Sequence, residues 1–513
     1  MSESTNYQRR NFLKTIAAAG SAVVSSSGLV NNATATEPAA AAPPGEVSIT
    51  PDLNRLRTFL VLDRLSMADA DGATFHLNPA QKRPENPVLL PGEPQEWDGL
   101  QVSWPGTVLY DANEKLFRCW YNGLDAVQKN RPPRWVPGYA ESTDGVHWTK
   151  PRLGQYSHNG EDTNRILVDF STEVISLVVA NPDRNDPERR FLAHWQGDDP
   201  ATVTMVKKFA TSPDGKKWKY EGIAMLPDGP ERDKFIDLSS IIFQPDAADE
   251  NDRVLAYGQL YVPRAWDPRF VRQIGLARGA SLGSVSLIKD LISLGPEQGI
   301  DEENHFASVS KVGDKFLMLF ESDRFSQKPL HGDLRLAVSN DGRNFRRVHP
   351  QTPFVATGPR GMWDENLMVV TTSAMQEVGD EIFIYYFGCP NVYTNWPGQY
   401  AATSELRGSF YYPSYLGVAT LLRDRYAYAA GPGSVTTPAV SVGEQGLWLN
   451  ADGAGLSIAA LASDGTVVAN GKLADSPKGS LYRKVQWKNG PPRQPCQLKI
   501  TLADKDRIYS IRY

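Results

Sequence analysis

The chain has 513 residues, 41% hydrophobic and 22% charged, enough for a large core and more than one domain. Its net charge is −5 and no Lys/Arg run forms a basic stripe, which argues against nucleic acid and an anionic membrane as partners. Three cysteines without a Cys-x-x-Cys pair exclude a disulfide-dense scaffold.

The N-terminus reads as an address. Gln8-Arg9-Arg10-Asn11-Phe12-Leu13-Lys14 precedes a weakly apolar run, and Ala33-Thr34-Ala35 offers a small-residue cleavage site. This is the pattern of a twin-arginine export signal, and the apolar run is too short to span a bilayer. Residues 1–35 are therefore expected as a signal peptide and 36–54 as a linker. The mature protein is expected to be periplasmic or secreted, with no membrane contact beyond export.

From residue 55 the chain repeats. Ala140 to Trp148 (AESTDGVHW), Ala210 to Trp218 (ATSPDGKKW) and Ala337 to Phe345 (AVSNDGRNF) share one plan: a strand ending in Ser, an Asp-Gly turn, then an aromatic. Asp and Gly both tolerate positive φ, which a tight turn requires. Degenerate copies at IGLARGA, around Ala277, and at LGVATLLRDRY, from Leu416, complete five units. Each unit also holds an aromatic-rich second strand, such as LFRCWYNG from Leu116, KFLMLFES from Lys315 and EIFIYYFG from Glu381. The segment Ser284 to Leu294 suits a short helix or a strand. A strand-rich unit recurring at a fixed period predicts an all-β chain with a five-bladed β-propeller over 55–432. Beyond it, six short strands from LWLNAD to RIYSIRY predict a small C-terminal β-sandwich over 433–513.

A propeller turns the first strand of each blade onto one funnel. Carboxylates precede those strands: Glu96-Trp97-Asp98, Glu173, Ile236-Asp237-Leu238, Asp301-Glu302-Glu303-Asn304-His305, and Trp363-Asp364-Glu365. Carboxyls gathered in one funnel repel each other, and burial raises some of their proton affinities. Glycoside hydrolysis needs such a set, one carboxyl protonated and another ionised. Trp97, Trp104 and Trp363 are candidate sugar-stacking rings, while His305, Asp364 and Glu365 are candidate sugar hydrogen-bonding groups. His194 could serve in the same way. Asp144, Asp214 and Asp341 are turn residues. No His spacing suits a metal, so neither metal nor cofactor is expected. Cys119 and Cys389 fall in neighbouring blades of a closed ring; a disulfide is conceivable and buried thiols are the preferred reading.

At these positions the chain resembles the five-bladed propeller glycoside hydrolases of the family 32 and family 43 superfamily. Asp237 in IDLSSIIF is similar to the family's Ile-Asp-Pro-Ser-Val-Phe segment, without the Pro. Glu303 in ENHFASVS is similar to its Glu-Gly-Pro segment, without Gly-Pro. Asp98 matches the blade-one acid loosely, since it stands some residues before Trp104-Pro105 rather than directly before a Pro. The resemblance implies Glu303 as proton donor to the leaving oxygen, Asp98 as base or nucleophile, and Asp237 as the residue orienting the acid. The expected function is hydrolysis of an oligo- or polysaccharide, with carbohydrate as the partner. The alternatives are a non-catalytic glycan-binding propeller and a propeller phosphorylase, the last needing basic residues such as Arg272 and Arg335 in the funnel.

Overall fold

The computed structural model describes residue 52 and residues 55–99, 101–124, 135–166, 174–198, 205–223, 235–264, 267–287, 302–324, 331–390, 414–477 and 479–513. The export signal and nearly all of the linker lie outside them. Among the described residues the helical pieces are four single 3-10 turns; the rest is strand and turn.

Five small antiparallel sheets follow one another. Blade one holds Val102–Asp111, Leu116–Leu124 and Trp135–Ser142. Blade two holds Val174–Ala180, Phe191–Asp198, Met205–Ser212 and Lys219–Ile223. Blade three holds Phe235–Phe243, Val254–Arg264, Asp267–Gly279 and Ser286–Leu287. The segment from Ser284 thus opens as a short strand after a 3-10 turn, and its continuation past 287 lies outside the described residues. Blade four holds Glu302–Glu303 and Ala307–Val312, both on Lys315–Arg324, then His331–Ser339 and Arg346–Arg347. Blade five holds Leu367–Val378, Glu381–Cys389 and Tyr415–Leu422. Its fourth strand is Gln81–Lys82, from ahead of blade one, with Lys82 opposite Ala419. The first strands touch in ring order, blade five against blade one, so the molecule is a closed five-bladed β-propeller.

Small hydroxyl residues line the ring because the inner strands approach closely. Thr107 Oγ1 accepts from Val178 N at 2.9 Å, Ser240 Oγ from Val309 N at 3.1 Å, and Ser308 Oγ from Ala374 N at 2.9 Å. Thr372 Oγ1 donates to Gly106 O at 3.1 Å. The inner strands slip register at these points, between Ser103 and Thr107 and between Val370 and Met375. A bulge takes backbone groups out of their own ladder, and a neighbouring blade's hydroxyl can take them up.

The sequence repeat proves to be a clasp between blades. Ser142, Ser212 and Ser339 each accept from the turn Gly N, at 2.9, 2.8 and 3.0 Å. Asp144, Asp214 and Asp341 each accept from the two amides that follow the turn. These bonds fix the turn, so its glycine carbonyl faces outward at one point. There the preceding blade's second strand supplies a donor: Tyr385 OH to Gly145 O at 2.9 Å, Trp120 Nε1 to Gly215 O at 2.6 Å, and Tyr257 OH to Gly342 O at 2.8 Å. The aromatic closing each repeat packs edge-on against the same ring, Trp148 on Tyr385, Trp218 on Trp120 and Phe345 on Tyr257. Asp144, Asp214 and Asp341 are turn residues with a structural task.

The eight strands after the propeller do not stand alone. Thr58–Leu60 pairs with Arg507–Arg512, Asp69–Asp71 with Gly433–Thr436, and Thr74–Leu77 with Ala427–Ala430. The expected propeller boundary at residue 55 is therefore corrected: residues 58–77 belong to the C-terminal strands, and the propeller begins with the closing strand at Gln81. Ten strands form one hydrogen-bonded path, with Thr58–Leu60 added beside Arg507–Arg512, and the eleven turn Phe59, Val61, Val435, Leu449, Ile458, Ile500 and Ile508 onto a single core. Three edge positions separated by the whole propeller cannot be read as partners from local sequence. None of the three cysteines forms a disulfide, and Cys119 and Cys389 are buried.

Candidate functional site

Neighbouring strands of a blade alternate in direction, so the start of its first strand, the end of its second and the start of its third share one end. In blade four this end gathers charge. Glu303 stands opposite Asp323 in the ladder, and Glu302 opposite Arg324. Glu302, Glu303, Asn304, His305, Glu321 and Asp323 are all buried.

Each carboxyl has its own surroundings. Arg347 binds both oxygens of Glu302, at 2.8 and 2.6 Å, and Asn304 Nδ2 donates to it at 2.7 Å. Glu303 Oε1 accepts from Arg272 N at 3.0 Å and lies 3.7 Å from that guanidinium. Glu321 Oε1 accepts from Phe306 N at 2.9 Å and lies 3.4 Å from His305 Nδ1. Asp323 is fully buried, and neither of its oxygens has a hydrogen-bond partner among the described residues. Burial, then the charge of Asp323, pushes the Glu321 carboxyl well above the usual carboxylate range. Burial, then the charge of Glu303, does the same to Asp323. The arrangement thus sets a carboxyl beside a guanidinium next to two carboxyls whose proton affinity is raised.

The sequence pointed to Glu303 and His305 but not to Glu321 or Asp323. A signal was present: Phe316 to Phe320 is apolar throughout, and the strand then ends Glu321-Ser322-Asp323. Two carboxyls at alternate positions share one face of a strand whose flanks are buried.

Asp98 and Asp364 occupy a different kind of site, and they are two copies of it. Asp98 accepts from Tyr121 OH at 2.7 Å and from Lys150 Nζ at 2.5 Å. Asp364 accepts from Tyr386 OH at 3.1 Å and from Lys82 Nζ at 2.5 Å. Trp97 stacks on Tyr121 with ring centroids 5.9 Å apart, and Trp363 on Tyr386 at 5.6 Å. A Cβ at Gly123 would come within 2.3 Å of Trp97, and one at Gly388 within 2.3 Å of Trp363. Gly92 and Gly358 stand at the same offset before the two aspartates, each leaving room for a carboxyl oxygen. In both copies the lysine comes from the edge of the blade, so the motif latches the approach to the first strand onto the outer edge.

Trp97 and Trp363 are both buried against tyrosines; Trp97 Nε1 donates to Asn164 at 2.9 Å, and Trp97 also lines the cavity beside Asp98. Of the remaining predicted residues, Glu365 is half-buried, accepts from Gly361 N and lies 3.3 Å from Asn366 Nδ2. Asp237 and Trp104 lie on the inner strands of blades three and one, with their side chains outside the described residues. His194 meets Ser176 Oγ at 2.9 Å. A cavity of about 500 Å³ opens beside Asp98, lined by Glu96, Lys150, Arg152, His158 and Asp162. Glu303 is not among its lining residues, and the partners of the Asp98 carboxyl are Gly92, Tyr121 and Lys150.

The chain matches no protein-family model and no curated protein. Its fold is similar to that of several solved structures. A glycosyl hydrolase from Bacteroides ovatus is 14% identical, covering 68% of this chain and 95% of that one, with a TM-score of 0.43. The beta-1,2-mannobiose phosphorylase from Listeria innocua, solved with beta-1,2-mannobiose, is 12% identical, covering 67% and 96%, with a TM-score of 0.43. A thermostable family-43 glycoside hydrolase is 15% identical, covering 64% and 95%, with a TM-score of 0.38. Likeness at this level concerns the course of the chain and says nothing of its chemistry.

Proposed function

We propose that this propeller is an exported glycoside hydrolase whose chemistry centres on Glu303. The observation that carries the reading is the buried group Glu303, Glu321 and Asp323 at the start of blade four, served by Arg272. It offers an ionised carboxylate and protonated carboxyls at one place, which glycoside cleavage requires. Glu303, carrying a proton in the reacting state, gives it to the glycosidic oxygen, the bond from that oxygen to the sugar carbon breaks, and water adds its hydroxyl to the carbon while its proton returns to the carboxyl group of the site. Asp237, expected to orient the acid, lies on the neighbouring inner strand. Asp98 takes no part, because Asp364 repeats its surroundings in a latch far along the chain.

The phosphorylase alternative would need cations for phosphate. Arg335 is held by both oxygens of Asp333, and Arg272 faces Glu303, which favours hydrolysis. The test is a panel of aryl furanosides and pyranosides followed by Glu303→Gln. The variant should lose cleavage of glycosides with poor leaving groups by about 100-fold or more, and keep part of the turnover where the leaving group needs little protonation. Full activity of the variant on poor leaving groups refutes the assignment. A wild type that cleaves nothing yet binds glycans makes the chain a binding propeller.

A further inference from the structure

Opposite residues of an antiparallel pair hold their Cβ atoms about 4.5–5.5 Å apart on one side of the sheet. Glu303 and Asp323 are such a pair. Two ionised carboxylates at that spacing, out of water, repel strongly. The cations around Asp323 are each drawn elsewhere. Arg272 faces Glu303, Arg347 binds Glu302, Arg324 and Arg335 face Asp333, and His305 faces Glu321. The charge of Arg272 reaches both Asp323 and Glu321, but Glu303 is the carboxyl that also accepts its backbone N–H. An ionised Asp323 without a hydrogen bond would be costly out of water, whereas the neutral acid avoids that cost. The Glu321 Oε2 atom and both amide atoms of Gln259, on the second strand of blade three, are also buried without a partner among the described residues. Polar atoms in that state are the places where buried water resides.

We propose that Asp323 is the proton reservoir of this site, a neutral carboxylic acid that supplies Glu303. The proton passes from Asp323 to Glu303 and from Glu303 to the glycosidic oxygen. Asp323 is left ionised, and the water that adds to the sugar carbon returns a proton to it. Only this last pair of steps rests on the hydrolase reading; the resting proton does not. Asp323 acts through Glu303 and is a positioning residue.

The resting proton is read without substrate, by infrared difference spectroscopy on the full chain. At about pH 7, well above the ordinary titration of Asp and Glu near 4, wild type minus Asp323→Asn should show the C=O stretch of a protonated carboxylic acid. Asn matches the shape and charge of the neutral acid, so the variant should fold. Should it not, the band is read in Glu321→Gln, which leaves Asp323 as the buried acid: it should persist at pH values where exposed carboxyls have already titrated. Absence of any such band overturns the proposal. Glu303→Gln leaves Arg272 without its anion, so the band should weaken at the same pH; an unchanged band breaks the link to Glu303 and overturns the reservoir. In hydrolysis, Asp323→Asn should lower kcat about 100-fold and shift the pH profile, with KM unchanged. A missing band together with a Glu303→Gln variant that is dead on poor leaving groups sinks the reservoir and leaves the hydrolase standing. A present band in a protein that cleaves nothing does the reverse.

Discussion

Asp98→Asn separates a latch from a catalytic base. The wild-type carboxylate is 2% exposed and holds the Lys150 ammonium at 2.5 Å, the Tyr121 hydroxyl at 2.7 Å and the Gly92 amide at 3.3 Å. Asn can keep one accepting oxygen for Tyr121 or Gly92, but its NH₂ has no charge to offer the ammonium. A hydrogen bond to a charged group contributes about 1.5–3 kcal/mol, and breaking a buried pair costs about 3–5 kcal/mol. Lys150 is 24% exposed and also donates to Leu90 O at 2.8 Å, so it is not left wholly unpaired. The expected loss is at the low end of that range, about 3 kcal/mol. Asp364→Asn should lose a similar amount, since Lys82 and Tyr386 repeat the arrangement and Lys82 is 27% exposed. The assay is denaturant unfolding followed by tryptophan fluorescence, which suits rings stacked on the tyrosines of both latches, with unfolding rates in place of midpoints if unfolding is irreversible. Activity per folded molecule should stay within a few-fold of wild type in both variants. An Asp98→Asn protein as stable as wild type but inactive on every leaving group, beside an Asp364→Asn protein that is merely destabilised, would refute the latch and restore Asp98 to the chemistry.

The latches make a second prediction at their glycines. Gly123→Ala and Gly388→Ala put a Cβ within 2.3 Å of Trp97 and Trp363, and each should destabilise by about 2–3 kcal/mol in the same unfolding assay. Loss below about 0.5 kcal/mol, the range of an ordinary surface change, would mean that the tryptophans are not wedged there. Export is tested in the native host. Replacing Arg9 and Arg10 with Lys should keep the chain in the cytoplasm, as fractionation would show, and an unchanged periplasmic yield would remove the twin-arginine assignment.

Local chemistry determined much of this protein. The Ser, Asp-Gly and aromatic positions of the repeat were legible because a turn at positive φ restricts its residues severely, and five such units at one period leave few architectures. Strand alternation made the five second strands visible for the same reason. The carboxyls before each first strand were legible as residue types and not as partners. Asp98 and Glu303 look alike in sequence, each an acid ahead of an inner strand. What separates them is the company each keeps: Lys150 and Tyr121 in one case, Arg272 and Asp323 in the other. Those partners arrive from other strands, and contact between distant segments depends on closure of the whole ring. The same holds for Gln81–Lys82 in blade five and for Thr58–Leu60 beside Arg507–Arg512. A proton affinity belongs to a location rather than to a residue, since it follows burial and neighbouring charge. The sequence could therefore supply the carboxyls, and only the folded chain could decide which partners each meets.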